Sequence, residues 1–286
     1  MRVTILSPRP DTGSLWRAYL SVIAARYRTL LQYRAAAFAG VVTQLFWGAI
    51  RLMVLLAFFE LAPNDQPMTV AEIAAYVWLG QALLAVFPWN VDGEIAEMIR
   101  SGSVAYELTR PLNLYWFWFA RTIALRTAPT TLRCLPMIIF AMWVMPALGL
   151  DKWALAPPPD WAAGIGFLIS QTLGLMLACA MTMLMHVVLV WTLSGDGINR
   201  IFPSIALVLS GNILPLPLFP DWMQSFLELQ PFQGLVDVPF RIYAGNITGS
   251  DVLVELAQQV FWTTIFIAWG YWALGRVQRR LVAQGG

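Results

Sequence analysis

Charged side chains make up only 12% of these 286 residues, and the basic ones are almost all arginine: Lys152 is the sole lysine and His186 the sole histidine. Soluble globular domains carry about a quarter charged residues, so a water-surrounded fold is excluded. The sole lysine does not stand in G-x-x-x-x-G-K-[ST], which excludes a Walker A phosphate loop. A single histidine excludes a His-cluster metal site and H-E-x-x-H chemistry; His186 reads as a packed helix residue. No G-x-S-x-G is present either. Cys134 and Cys179 both sit in apolar runs and read as small core residues rather than a disulfide or metal pair. No short apolar region precedes an A-x-A site near the start, so a cleavable signal peptide is not expected. Nothing points to catalysis, a bound cofactor, a metal or nucleic acid.

What is present is apolar. The chain is 59% hydrophobic, with 14 Trp and 16 Phe, the composition of an integral membrane protein. Its length allows about six spans of roughly 20 residues with modest loops, and no large soluble domain. The expected fold is all-α.

Residues 1–13 are polar. From Ser14 to Tyr33, Leu15, Trp16, Tyr19, Leu20, Ile23, Tyr27, Leu30 and Leu31 share one helical face, and Arg17, Ser21, Arg28 and Gln32 share the other. This predicts an amphipathic helix lying in the membrane surface. The division is therefore 1–34 for a cytoplasmic tail and surface helix, and 35–286 for the membrane domain. Spans are predicted over about 35–59, 69–89, 127–150 (kinked by Pro129, Pro136 or Pro146), 161–193, 201–213 and 252–274. The fifth dissolves into LPLPLFPDWMQSFLELQPF, whose Pro215, Pro217 and Pro220 cannot continue a helix. Asp221 is placed to cap a brief helix through Leu229. The segment reads as a re-entrant or interfacial helical hairpin before span six, since non-helical backbone at that depth must be buried or face water.

Orientation follows from the basic residues. Arg2, Arg9, Arg17, Arg26, Arg28, Arg34, Arg100, Arg110, Arg121, Arg200, Arg276, Arg279 and Arg280 fall together on the side of the termini, against Lys152 and Arg241. Both termini are therefore expected in the cytoplasm, with the protein in a bacterial inner membrane. Arg126 and Arg133, at the cytoplasmic end of span three, are expected to snorkel. Arg51 lies in mid-span, where an arginine marks either a transport pathway or pairing between subunits.

One stretch breaks the apolar pattern: NVDGEIAEMIRSGSVAYELTRPLNLYWFWFARTIALR, residues 90–126, with Asp92, Glu94, Glu97 and Glu107 beside Arg100, Arg110, Arg121 and Arg126. Each ionised group costs a few kcal/mol or more in hydrocarbon, so the stretch is expected outside the membrane, between spans two and three. Ile95, Met98 and Ile99 fall at i, i+3, i+4, which predicts a short amphipathic helix. Gly102 is the expected stop, taking the left-handed conformation. Tyr115 to Phe119 read as an interfacial aromatic belt.

The stretch EIAEMIRSGSVAYELTRPLN, with Glu97, Gly102, Leu108 and Pro111, resembles a pattern of ABC-2-type permeases, the membrane subunits of ATP-binding-cassette exporters. LQPFQGLVDVPFRIYAGNITG, followed by a final span and the basic tail RRLVAQGG, is similar to the viologen-exporter-like or uncharacterised multidrug branch. The resemblance implies two permease chains, alike or different, and a separate ATPase holding ATP and Mg. It also implies that the helix after Asp92 is a coupling helix seated in that ATPase, carried by Asp92, Glu94, Glu97, Arg100 and Gly102. The implied function is export of a small amphipathic or cationic compound. Export of a lipid or lipid-linked glycan, a non-transporting scaffold or sensor, and a secondary transporter are the alternatives. A secondary carrier would need acidic residues or broken helices near the midplane in two related halves, and no such repeat is visible.

Overall fold

The computed structural model describes residues 12–61 and 66–283. The polar N-terminal tail and the Asp65 connector lie outside the described residues, as do the side chains of Arg279 and Arg280. Every regular element among the described residues is helical.

Helix α1, Thr12–Leu30, has Arg17, Ser21, Arg28 and Gln32 exposed along or just beyond it, the predicted polar stripe. It lies along α6, where Tyr27 Oη donates to Thr131 Oγ1 at 2.7 Å and Tyr19 Oη accepts from the Asn113 N–H at 3.2 Å. Helix α2 spans Arg34–Leu61 and α3 spans Val70–Ala82, followed by a 3₁₀ turn at Leu84–Val86. Helices α4, Gly93–Ser101, and α5, Val104–Leu108, are short. Helix α6, Leu114–Ile139, runs on through a π-helical turn, Phe140–Val144, into α7, Met145–Ala147. Helix α8 is Trp161–Thr192 and α9 is Asp196–Leu209. Helices α10, Asp221–Leu229, and α11, Asp237–Ala244, flank a 3₁₀ turn at Pro231–Leu235, and α12 is Ser250–Ala283.

Four helices among the described residues are long and apolar enough to cross a membrane: Arg34–Phe59, Leu114–Ala147, Trp161–Thr192 and Ser250–Val277. The segments expected as spans two and five are shorter. At 1.5 Å per residue α3 and α9 each rise only about 20 Å, against a hydrocarbon core of about 30 Å. Helix α3 lies inside the protein, with Ile73 to Ala82 all buried. Its start is fixed by a capping box between Thr69 and Glu72, and its middle by Tyr76, whose Oη donates to buried Asp237 at 2.9 Å.

Three expectations are corrected. The third long helix begins at Leu114, not near Thr127, because Asn113 caps it by accepting from the N–H groups of Tyr115 and Trp116. The aromatic run is therefore helical, and it is not a belt: Tyr115, Phe117, Trp118 and Phe119 are buried and only Trp116 is exposed. Before α10, Pro220 rather than Asp221 is the cap residue, and no side-chain cap bond forms there.

Helix α8 is the axis of the packing, lined by α6, α11 and α12. The 3₁₀ turn Pro231–Leu235 seats on it through Gly174, where an added Cβ would stand 2.8 Å from the Gly234 carbonyl oxygen. Buried Gln259 of α12 locks the junction, donating to the Gly234 oxygen at 2.7 Å and the Ser170 oxygen at 3.1 Å. Cys179 is buried and Cys134 half-buried, and both are free thiols.

Candidate functional site

Helix α4 forms because its pattern and both ends agree. Asp92 caps it by accepting from the Glu94 N–H at 2.9 Å. Glu94 in the first turn and Arg100 in the last complement the helix dipole. Gly102 terminates it at φ +74°, the left-handed conformation expected of it. Ile95, Ala96 and Ile99 are buried against α6, α8 and Val104. Full burial of an isoleucine contributes roughly 1.5–3 kcal/mol, so Ile95 and Ile99 hold this helix flat to the body. Glu97 and Arg100 stand exposed on the opposite face, with Ser101 and Gly102 beside them.

The acidic residues do not form a single set. Asp92 is 1% exposed, while the Glu94 side chain is 59% exposed. Arg26 of α1 and Arg121 of α6 grip both: Arg26 lies 3.4 Å from Asp92 and in direct contact with Glu94, and Arg121 lies 3.6 Å from Asp92 and 2.7 Å from Glu94. Arg121 also reaches Glu107 at 3.4 Å, whose other oxygen accepts from Trp118 Nε1 at 2.6 Å. The Asp92 N–H donates to His186 Nε2 at 3.0 Å, and the Val91 N–H donates to Asn199 Oδ1 at 3.2 Å. The root of α4 is thus tied to α1, α6, α8 and α9 together.

The arrangement consists of ion pairs, a helix cap and buried apolar packing. No group of three or more His, Cys, Asp or Glu able to hold a metal occurs among the described residues. It is a rigid mount that presents a small charged face to water.

Asp92, Glu94, Glu97, Arg100 and Gly102 therefore occur together, but Asp92 turns inward, Glu94 stands at the rim in contact with Arg26 and Arg121, and Glu97 and Arg100 face out. Arg51 lies elsewhere: its Nη2 donates to the Ile213 carbonyl at 2.8 Å, joining α2 to the turn after α9. Arg126 does not snorkel. It is 3% exposed and donates to the Asn90 carbonyl at 2.5 Å and to Thr182 Oγ1 at 3.2 Å. His186 is packed as expected, and it also holds Asp92, a role that sequence reading missed. The clamp of Arg26 and Arg121 was missed as well. Arg26 did leave a signal: at about 100° per residue it lies half a turn from Arg17, on the apolar face of α1.

A family model described as ABC-2 family transporter protein matches residues 45–285. No curated protein matches the chain.

Proposed function

The chain belongs to the ABC-2 family of transporter proteins, and from that premise we propose that it is the permease subunit of an exporter driven by a separate ATPase. It is a membrane protein of the permease type, and the ATP and Mg belong to the partner subunit. In this reading it moves a small amphipathic or cationic compound out of a bacterial cell. It works beside a second permease, identical or related, with both termini in the cytoplasm. Residues 35–286 form the transport domain. Helix α3 with its 3₁₀ turn, and α9 with the hairpin that follows, complete six crossings alongside the four long helices. Arg51 serves as an internal strut between crossings.

One observation carries this reading: α4 is anchored on one face and bare on the other. Its root is clamped by Arg26, Arg121 and His186, while Glu97 and Arg100 project outward. A rigid, capped, charged helix can pass on displacement from a docked subunit, which a tethered loop would absorb. The position of the clamp supports this, because it joins α4 to the helices α6 and α8 of the transport domain.

The test uses two substitutions that touch no clamp contact. Glu97→Arg sets a like charge against whatever basic group the ATPase presents, or leaves that group unpaired, at about 2–5 kcal/mol. Gly102→Val forces a β-branched residue into the left-handed region at a cost of about 1–3 kcal/mol. Both variants are expected at normal membrane levels, with export lost and the ATPase released or uncoupled. Wild-type export by both, with the ATPase still bound, contradicts the assignment.

A further inference from the structure

We propose that Arg126 and Arg133 form a binding site for a single anionic group, a phosphate or a carboxylate, in the cleft between α2 and α6. A cavity of about 230 Å³ opens there, lined on its polar side by Gln44, Asn90, Arg126 and Arg133. That is below the roughly 300–1,000 Å³ of pockets for drug-sized ligands, and suits a headgroup rather than a whole amphipathic drug.

The charge balance of the cleft calls for an anion. Arg126 and Arg133 are seven residues apart on α6, so they share one face about 10 Å apart along the axis. An arginine within a spanning helix is rare, and it ordinarily pairs with a counter-charge or marks a pathway. Neither arginine is in an ion pair among the described residues. No carboxylate lines the cavity. Asp92 lies within electrostatic reach of Arg126, but its oxygens are engaged by Arg26 and Arg121.

Part of the donor set is also unsatisfied. The Nε–H groups of both arginines are buried without a hydrogen-bond partner, and so is Gln44 Oε1. Arg126 and Gln44 are only 3% and 5% exposed. Both guanidinium groups line the one cleft, and a guanidinium fork matches the oxygen geometry of phosphate or carboxylate. The Gln44 amide can turn its nitrogen to the same ligand, since its oxygen and nitrogen are interchangeable in position. Helix α2 is shaped for this. A Cβ at Gly40 would stand 2.6 Å from the Arg133 guanidinium carbon, so the bare backbone is what lets the guanidinium lie there.

The site is not isolated from α4. Arg126 holds the Asn90 carbonyl two residues before the Asp92 cap. An anion drawn onto Arg126 therefore acts on the root of the candidate coupling helix. This inference stands apart from the exporter reading, because it concerns the fixed charges of this chain and not the compound it moves.

The anion has two possible sources, a lipid headgroup or a soluble phosphate, and one experiment separates them. The full-length chain is placed in nanodiscs of phosphatidylcholine, and its thermal midpoint is followed at fixed ionic strength. One arm replaces part of the lipid with phosphatidylglycerol; the other adds inorganic phosphate in place of chloride. We expect a rise of a few degrees in at least one arm. A rise with phosphatidylglycerol alone assigns a lipid headgroup, and a rise with phosphate assigns a soluble anion. Arg133→Gln, which breaks no side-chain hydrogen bond among the described residues, is expected to abolish the rise. Gly40→Val is expected to weaken it by displacing the guanidinium without removing charge, and Arg17→Gln, on the exposed face of α1, should leave it intact. No rise in either arm, or a full rise retained by Arg133→Gln and Gly40→Val, overturns the proposal.

Discussion

Asp92 shows how one residue can be both a local signal and a tertiary anchor. Its side chain caps α4, its backbone N–H is held by His186, and its carboxylate is shared by Arg26 and Arg121. Removing one partner of such a buried cluster leaves uncompensated charge, which costs about 3–5 kcal/mol. Arg121→Gln should therefore loosen α4 and lower the thermal midpoint of the purified protein, with new protease cleavage between Ser101 and Pro111. Glu94→Gln removes a carboxylate that is itself 59% exposed and leaves Asp92 paired with both arginines, so it should move both readouts less than Arg121→Gln does. Equal effects from the two substitutions would contradict the clamp. The sequence shows the cap, the apolar face and the glycine stop of α4, because these are local. It does not show which arginines close on Asp92, because Arg26 and Arg121 lie 66 and 29 positions away along the chain. Only the placement of Arg26 on the apolar face of α1 hinted at an inward partner.

Among the elements, long apolar helices with distinct caps were legible and short buried ones were not. Asp160 caps α8 by accepting from the Ala163 N–H at 2.7 Å, and the helix matches its expected span almost to the residue. The expected start of the third span was late because the charged and aromatic residues from Tyr115 to Arg126 look unfit for lipid. Helix α6 instead buries most of those aromatics and pairs Arg121. Helix α3 ends at Ala82, where the chain passes into the 3₁₀ turn Leu84–Val86 ahead of Pro88, and the Tyr76–Asp237 hydrogen bond holds it in the interior. That packing gives a graded expectation. Tyr76→Phe leaves Asp237 with its other donors, the Leu216 N–H and Arg241, and should cost about 1 kcal/mol. Gly174→Leu drives a side chain into the Gly234 carbonyl and should cost at least about 1–3 kcal/mol through overpacking. Thermal unfolding in detergent ranks the two, and a larger loss from Tyr76→Phe would show that the Pro231–Leu235 turn does not rest on α8 as described.

For the whole molecule, the orientation proposed from the arginines puts α4, Arg100 and Arg110 on one side of the membrane and Lys152 on the other. With Cys134 and Cys179 replaced, an impermeant thiol reagent applied from outside should label a cysteine at position 152 and spare one at position 101. The bare faces of α2 and α9, which carry Phe46, Trp47 and Phe58 and then Ile201 and Ile205, fit a seam with a second permease as well as contact with lipid. One measurement bears most directly on the proposed function: photo-crosslinking from position 97 in the assembled, exporting complex. Glu97 projects from the exposed face of a clamped helix, so a photoreactive residue there should form an adduct with the ATP-hydrolysing subunit, and a nucleotide-locked state should change its yield. A complex that exports normally while position 97 forms no adduct with that subunit would contradict the role assigned to α4.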